Sequence, residues 1–200
     1  MDERPATGEF HPRAVVLVEG TSDRRALETL ATRRGRDLAT EGVSIEVMGG
    51  SKAVGRFLTQ FGPHGAGVRV AGLCDVGEEN DVRRGLGRAG FGSPLTRSEM
   101  EALGFFLCEV DLEDELIRAL GARAVEKIID GQGELASLRT LQQQPAQRGR
   151  PVDQQLRRFM GTQGGRKIRY APLLVEALDL ARVPRPLHGV LEHVRGRPGV

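Results

Sequence analysis

With 200 residues, 39% of them hydrophobic and 28% charged, and a mean hydropathy of −0.30, the chain has the composition of a folded globular protein. No apolar run approaches the roughly 18–20 residues that cross a bilayer. Met1 to Pro5 carry charges of both signs and lack a secretory apolar stretch, so a cytoplasmic protein without membrane contact is expected. On the soft scale of ~150 residues per domain, the length predicts one compact domain plus an appendage.

The net charge of +2 conceals an uneven distribution. Residues 1–125 hold 16 basic and 20 acidic side chains, whereas residues 126–200 hold 13 basic and 7 acidic ones, so an acidic front is joined to a basic tail. Only Lys52, Lys127 and Lys167 are lysines; the other 26 basic residues are arginines. Arginine suits phosphate through its planar fork, although the same bias follows from genomic base composition. With one tyrosine and no tryptophan, the chain is poorly equipped to stack single-stranded bases. Cys74 and Cys108 each sit inside an apolar run, which predicts buried free thiols.

Ala14–Val18 is a short, β-branched apolar run that predicts a strand buried on both faces. It ends at Glu19-Gly20, and Thr21 and Ser22 supply helix-capping chemistry for a helix carrying Ala26, Leu27, Leu30 and Ala31 up to Gly35. The grammar then repeats. Val43–Met48 predicts a second strand, Gly49-Gly50 a turn, and Ser51 the cap of a helix with Val54, Phe57, Leu58 and Phe61. Val68–Cys74 predicts a third strand, followed by Asp75 and a helix through Val82 and Leu86. Gly104–Val110 predicts a fourth strand, followed by an acidic helix from Asp111 to Leu120. Strands alternating with helices predict an α/β fold with a mainly parallel four-stranded sheet. After Gly121 the pattern turns helical, with segments at 125–129, 135–141, 152–160, 168–180 and 187–194 separated by Gly and Pro. The expected division is a domain at 13–120 and a helical, arginine-rich extension at 121–200.

Open α/β sheets bind ligands at the carboxyl ends of their strands. Carboxylates stand there three times: Glu19 after strand one, Asp75 after strand three, and Asp111 with Glu113 after strand four. Asp23 lies one helical turn beyond Glu19. Converging carboxylates repel unless protons or a cation compensate, and hard oxygen donors suit Mg²⁺ or Mn²⁺. Taken singly, acidic residues at helix starts are also explained by the helix dipole.

The run Val16-Leu17-Val18-Glu19-Gly20-Thr21-Ser22-Asp23, followed by Leu73-Cys74-Asp75 and Asp111-Leu112-Glu113-Asp114, resembles a TOPRIM domain of the OLD (overcoming lysogenization defect) nuclease family. The resemblance implies a TOPRIM-like sheet over 13–120 and a divalent-metal-dependent endonuclease acting on DNA, with two Mg²⁺ or Mn²⁺ ions activating water and stabilising the attacking and leaving oxygens. It places Glu19, Asp23 and Asp111 on one ion and Asp75 and Glu113 on the second, with Glu19 and Lys167 as catalytic residues. Lys167, in Gly164-Gly165-Arg166-Lys167, stands where such nucleases keep a lysine thought to stabilise the transition-state phosphate. The family usually has Asp-x-Asp after strand three, but this chain has Asp75-Val76-Gly77, followed by Glu78 and Glu79. One or two ions, and replacement of the missing acid by Glu78 or Glu79, therefore stay open. OLD proteins couple the TOPRIM to an ATPase that is not encoded here, which implies a separate ATPase partner.

The tail arginines Arg157, Arg158, Arg166 and Arg169 fit a surface tracking nucleic-acid phosphates. DNA or RNA is left open; by themselves these residues are equally well explained as solvated helix faces, and the TOPRIM resemblance favours nucleic-acid contact. Gly49-Gly50-Ser51-Lys52 lacks the full Walker pattern and reads as a glycine turn before a capped helix. His11, His64, His188 and His193 show no ligand or catalytic spacing, and no GxSxG nucleophile elbow occurs. Two other classes compete with the nuclease: a non-catalytic TOPRIM module binding DNA or a repair ATPase, and a receiver-like domain phosphorylated on Asp75.

Overall fold

The computed structural model describes residues 12–93 and 95–195. The charged Met1–Pro5 segment and His11 lie outside the described residues. Strand β1 (Ala14–Val18) is fully buried along its length. It pairs in parallel with β2 (Val43–Val47) on one side and with β3 (Arg69–Asp75) on the other, and β4 (Phe105–Cys108) extends the sheet beyond β3. The order β2-β1-β3-β4 gives the expected four-stranded parallel sheet.

Because side chains alternate across a strand, β1 feeds two cores. Ala14, Val16 and Val18 belong to one, Val15 and Leu17 to the other. The first core is closed by α1 (Thr21–Arg33) and, from the later chain, by α5 (Leu112–Leu120), α6 (Ala122–Gly131), α7 (Leu135–Gln143), α8 (Val152–Met160), α9 (Arg166–Ala177) and α10 (Arg185–His193). On the opposite face lie α2 (Val54–Phe61), α3 (Glu79–Arg88) and α4 (Arg97–Ala102), with Leu58, Leu86 and Met100 fully buried there. The chain crosses one face between β1 and β2 and the other between β2 and β3, so the topology reverses between β1 and β3. That reversal opens the crevice where an α/β sheet admits ligands, and Glu19 and Asp75 stand at its two lips.

The predicted tail helices form one continuous apolar cluster with the sheet. Tyr170, Leu174 and Val175 of α9 are buried together with Ala26, Leu27, Leu30 and Ala31 of α1. Polar ties reinforce this contact: Arg33 donates to the carbonyls of Val175 and Leu178 at 2.7 and 2.8 Å. α9 thus reaches the sheet's carboxyl edge from the far end of the sequence, and with it Lys167.

Several boundaries shift for local reasons. β4 stops at Cys108 because Glu109 turns away from the sheet, its N–H donating to Glu115 Oε1 at 2.9 Å. The predicted helix at 168–180 ends at Ala177; extended backbone at Leu178 precedes a 3₁₀ turn over Leu180–Arg182, capped by Asp179. α4 was not anticipated, although Thr96 and Glu99 carry its signature. Thr96 Oγ1 accepts the Glu99 N–H at 3.2 Å, and Glu99 Oε2 accepts the Thr96 N–H at 2.7 Å, a reciprocal capping box. Both cysteines are free and buried, as predicted, and burial pushes both thiols well above their ordinary range. Among the described residues, no helix is long and apolar enough to cross a membrane.

Candidate metal and phosphodiester site

Three strand-to-helix junctions and the start of α9 converge at the carboxyl edge. Glu19 follows β1, and Asp23 sits in the first turn of α1, where its Oδ2 accepts the Gly20 N–H at 2.8 Å. Asp75 ends β3, and Glu78 lies in the 3₁₀ turn Val76–Glu78 that follows directly. Asp111 is the N-cap of α5, with Oδ1 accepting the Asp114 N–H at 2.9 Å, and Glu113 lies two residues on. Glu113 is 2% exposed and Asp111 8%. The fourth contribution comes from α9: Lys167 Nζ donates to Glu113 Oε2 at 2.6 Å and lies 3.7 Å from Asp111 Oδ2.

These groups sense one another. Burial raises the carboxyl of Asp23 to about 7, with Glu113 and Glu19 adding to the effect and the Gly20 N–H opposing it. Burial also raises Asp75 to about 7, helped by Asp111, Glu19, Asp23 and Glu78. Glu19 is raised by burial and by the close approach of the Glu78 carboxyl. Burial alone would lower the Lys167 ammonium. Its hydrogen bond to Glu113 and the charges of Glu113, Asp111 and Asp23 outweigh that and hold it above the usual lysine range. Carboxyls raised this far keep protons that a cation would displace.

The structure answers which acid faces the cluster after Gly77. Glu78 lies beside Glu19, and its Oε2 is buried without a hydrogen-bond partner. Glu79 turns away and pairs with Arg83 and Arg97. Glu113 Oε1 is likewise buried and unpartnered. Such oxygens are costly to leave unsatisfied, and hard anionic oxygens are the donor chemistry that Mg²⁺ and Mn²⁺ prefer. The donor set therefore fits a divalent ion. Among the described residues, no three His, Cys, Asp or Glu side chains are already gathered around a single point, so closing on an ion requires side-chain rotation.

The four tail arginines separate into different roles. Arg157 reaches the site directly, its Nε donating to Asp111 Oδ2 at 2.8 Å. Arg158, the next residue on α8, is exposed. Arg169 pairs with Glu134 on an exposed surface. Arg166 departs from the expectation of a phosphate contact: it is 6% exposed, stacks 3.9 Å from the centroid of Phe159, and donates to the Phe159 carbonyl and to Glu134 at 2.9 and 3.1 Å. Its Nη1 and Nη2 bonds tie the start of α9 to α8 and to Glu134, supplying acceptors that a buried guanidinium needs. Sequence reading had given Arg157 to phosphate; the contact with Asp111 joins residues 46 apart and has no local signature.

Comparison with known proteins agrees with the fold. Residues 10–76 match the family model described as overcoming lysogenization defect protein-like, TOPRIM domain, a stretch that includes Glu19, Asp23 and Asp75. The C-terminal region of the Xanthomonas campestris pv. campestris OLD protein superposes with a TM-score of 0.74 at 24% identity, over 92% of this chain and 93% of that one. The C-terminal region of the Burkholderia pseudomallei OLD protein superposes with a TM-score of 0.71 at 18% identity, over 92% of this chain and 97% of that one. Over residues 10–76 the chain is similar to an OLD-like TOPRIM domain. None of the curated proteins matches the sequence. The likeness in fold to the solved OLD regions covers 92% of the chain and so extends past the matched segment into the helical tail.

The raised carboxyls of this cluster make a pH-dependent response to metal an expected result. Unfolded, Asp23 and Asp75 titrate near ~4; folded, both titrate at about 7. Between these values the native state holds protons that the unfolded state has released, so their contribution to stability falls as pH rises through that window. A divalent ion held by these carboxylates would take the place of those protons. The rise in melting temperature on adding Mn²⁺ should therefore be small at pH 6 and clearly larger at pH 8, as read by scanning fluorimetry. Equal increments at both pH values, or none, would argue against these carboxylates as ligands.

Proposed function

We propose that this protein is a divalent-metal-dependent nuclease that cleaves DNA phosphodiester bonds. The observation that carries the reading is the meeting of Glu19, Asp23, Asp75, Glu78, Asp111 and Glu113 with the ammonium of Lys167 at one sheet edge. In this reading Glu19, Asp23 and Asp111 hold one Mg²⁺ or Mn²⁺ ion, and Asp75 and Glu113, joined by Glu78, hold the second. The bound ions supply Lewis acidity and a nucleophilic water at neutral pH.

The chain's own groups do the rest. Asp23 and Asp75, titrating near neutrality, exchange protons easily at working pH. Lys167 keeps its proton, and its ammonium is placed by Glu113 to face negative charge that accumulates on a reacting phosphate. Arg157 keeps Asp111 oriented, while Arg158 and Arg169 extend a positive surface beside the site. We take residues 13–120 as the unit that supplies the carboxylates and 121–200 as the layer that supplies Lys167 and the arginines.

The test is direct. Purified protein is offered supercoiled plasmid and linear duplex with Mg²⁺, Mn²⁺ or a chelator, and products are read on gels. Cleavage with metal and none with chelator is expected. Gly77, in place of the usual second aspartate, favours one other reading, a TOPRIM module that binds DNA without cutting it. That reading requires DNA binding that is indifferent to chelator and no cleavage under any metal.

A further inference from the structure

The turn Gly49-Gly50-Ser51-Lys52 leads into a cleft of about 340 Å³ between α2 and α3, lined by Ser51, Lys52, Gly55, Asp81, Arg84 and Arg88. We infer that this cleft binds a backbone phosphate of the DNA strand whose cleavage is proposed above, and the inference rests on that reading.

Position is the first argument. Met48 N–H donates to the Val18 carbonyl at 2.8 Å and Gly49 N–H to the Glu19 carbonyl at 3.1 Å, so the turn is fastened to the residue that opens the carboxylate cluster. On the other wall, α3 begins immediately after Glu78. The cleft and the carboxylates therefore share a border.

Charge is the second. Three cations line the cleft, and its single acid, Asp81, pairs with Arg84 and lies 3.5 Å from Ser51 Oγ. Lys52 and Arg88 are exposed and form no ion pair among the described residues. Arg84 and Arg88 stand four residues apart on α3, a spacing at which like charges repel. Cations gathered in a concavity against their own repulsion suit an anion, and phosphate is the anion that a strand crossing the neighbouring site brings with it.

Shape is the third. A Cβ on Gly85 would lie 2.9 Å from Val54 Cγ1 and 3.3 Å from Leu58 Cδ1, so α3 packs closely on α2 beneath the cleft and position 85 has no room for a side chain. The turn itself uses φ of 74° at Gly49 and 122° at Gly50, angles that glycine adopts freely, to bring Ser51 and Lys52 to the rim. Arg157 and Arg158 lie on the opposite face of the sheet, with α8. A strand crossing the carboxyl edge meets one basic bank before the carboxylates and the other after them.

The salt dependence of DNA binding tests the cleft. Binding of a labelled duplex is followed by anisotropy in chelator, where no cleavage occurs, for wild type and Lys52→Ala/Arg88→Ala. Loss of the one phosphate contact should lower the slope of log affinity against log salt by about 0.9, and Arg13→Ala, at the other end of β1, should leave it unchanged. Hydrolysis of bis(p-nitrophenyl) phosphate, too small to reach from the carboxylates into the cleft, should stay within about twofold of wild type in the double variant. An unchanged slope in a double variant of a wild type that binds and cuts DNA overturns the cleft alone. Loss of the small-substrate activity also overturns it, by placing the two residues in the fold or the metal site. A wild type that neither binds nor cuts DNA removes the nuclease reading and this inference with it.

Discussion

Glu19→Gln is expected to lower metal-dependent DNA cleavage by about 10³-fold or more, some 4 kcal/mol of barrier, without lowering the melting temperature of the metal-free protein at pH 8. Both halves follow from one placement. Glu19 leaves β1 at the topological reversal, where burial and Glu78 raise its carboxyl. Above its folded pKa the ionised group costs stability, so a neutral side chain of the same shape relieves repulsion while removing an anionic oxygen ligand. Activity and stability should move apart, as they do where a site is held against its own charge. Cleavage at the wild-type rate would exclude Glu19 as a ligand. Loss of activity together with a large drop in melting temperature would make Glu19 a structural residue instead.

Lys167→Met should cut the cleavage rate by roughly 10²–10³-fold, the size associated with losing one preorganised positive group at developing charge. The same change frees Glu113 Oε2 and relieves Asp111 of a cation 3.7 Å away. Mn²⁺ binding, measured by calorimetry, should therefore hold at the wild-type level or tighten. A residue that merely propped up the site would show weaker metal binding alongside weaker cleavage, so the opposite movement of the two readouts identifies a group acting on the phosphate. Lys167→Arg should recover only part of the rate, because a planar fork does not reproduce the compact ammonium against Glu113. Unchanged cleavage in Lys167→Met would remove the residue from the mechanism.

Much of the fold was legible because the local signals agree with one another. Strands β1 to β3 appear as short apolar runs ending at a glycine or an acid, and the alternation with helices requires parallel pairing. The carboxylates were legible too, since each stands at a fixed offset from a strand end. Harder to read was anything set by packing. Glu78 and Glu79 are adjacent identical residues, and only the turn of Val76–Glu78 decides that the first joins Glu19 while the second meets Arg83 and Arg97. Arg166 and Lys167 are adjacent cations, and the helical rotation between them sends one under Phe159 and the other onto Glu113. α4 went unread despite its capping box, because its six residues carry too little periodic apolar pattern to stand out.

By itself the sequence determined the class of fold, the order of the strands' chemistry and the acidic character of the sheet edge, since these depend on spacing along the chain. Only the tertiary structure decided that the basic tail closes over the acidic front. The bland charge of +2 is the sum of two layers that meet at Glu113 and Lys167, 54 residues apart. Apolar contact between α1 and α9 makes that meeting possible: burying Leu27, Leu30, Tyr170 and Leu174 together drives the tail onto the sheet. The charges then find their partners because the hydrophobic surfaces leave no other way to dock.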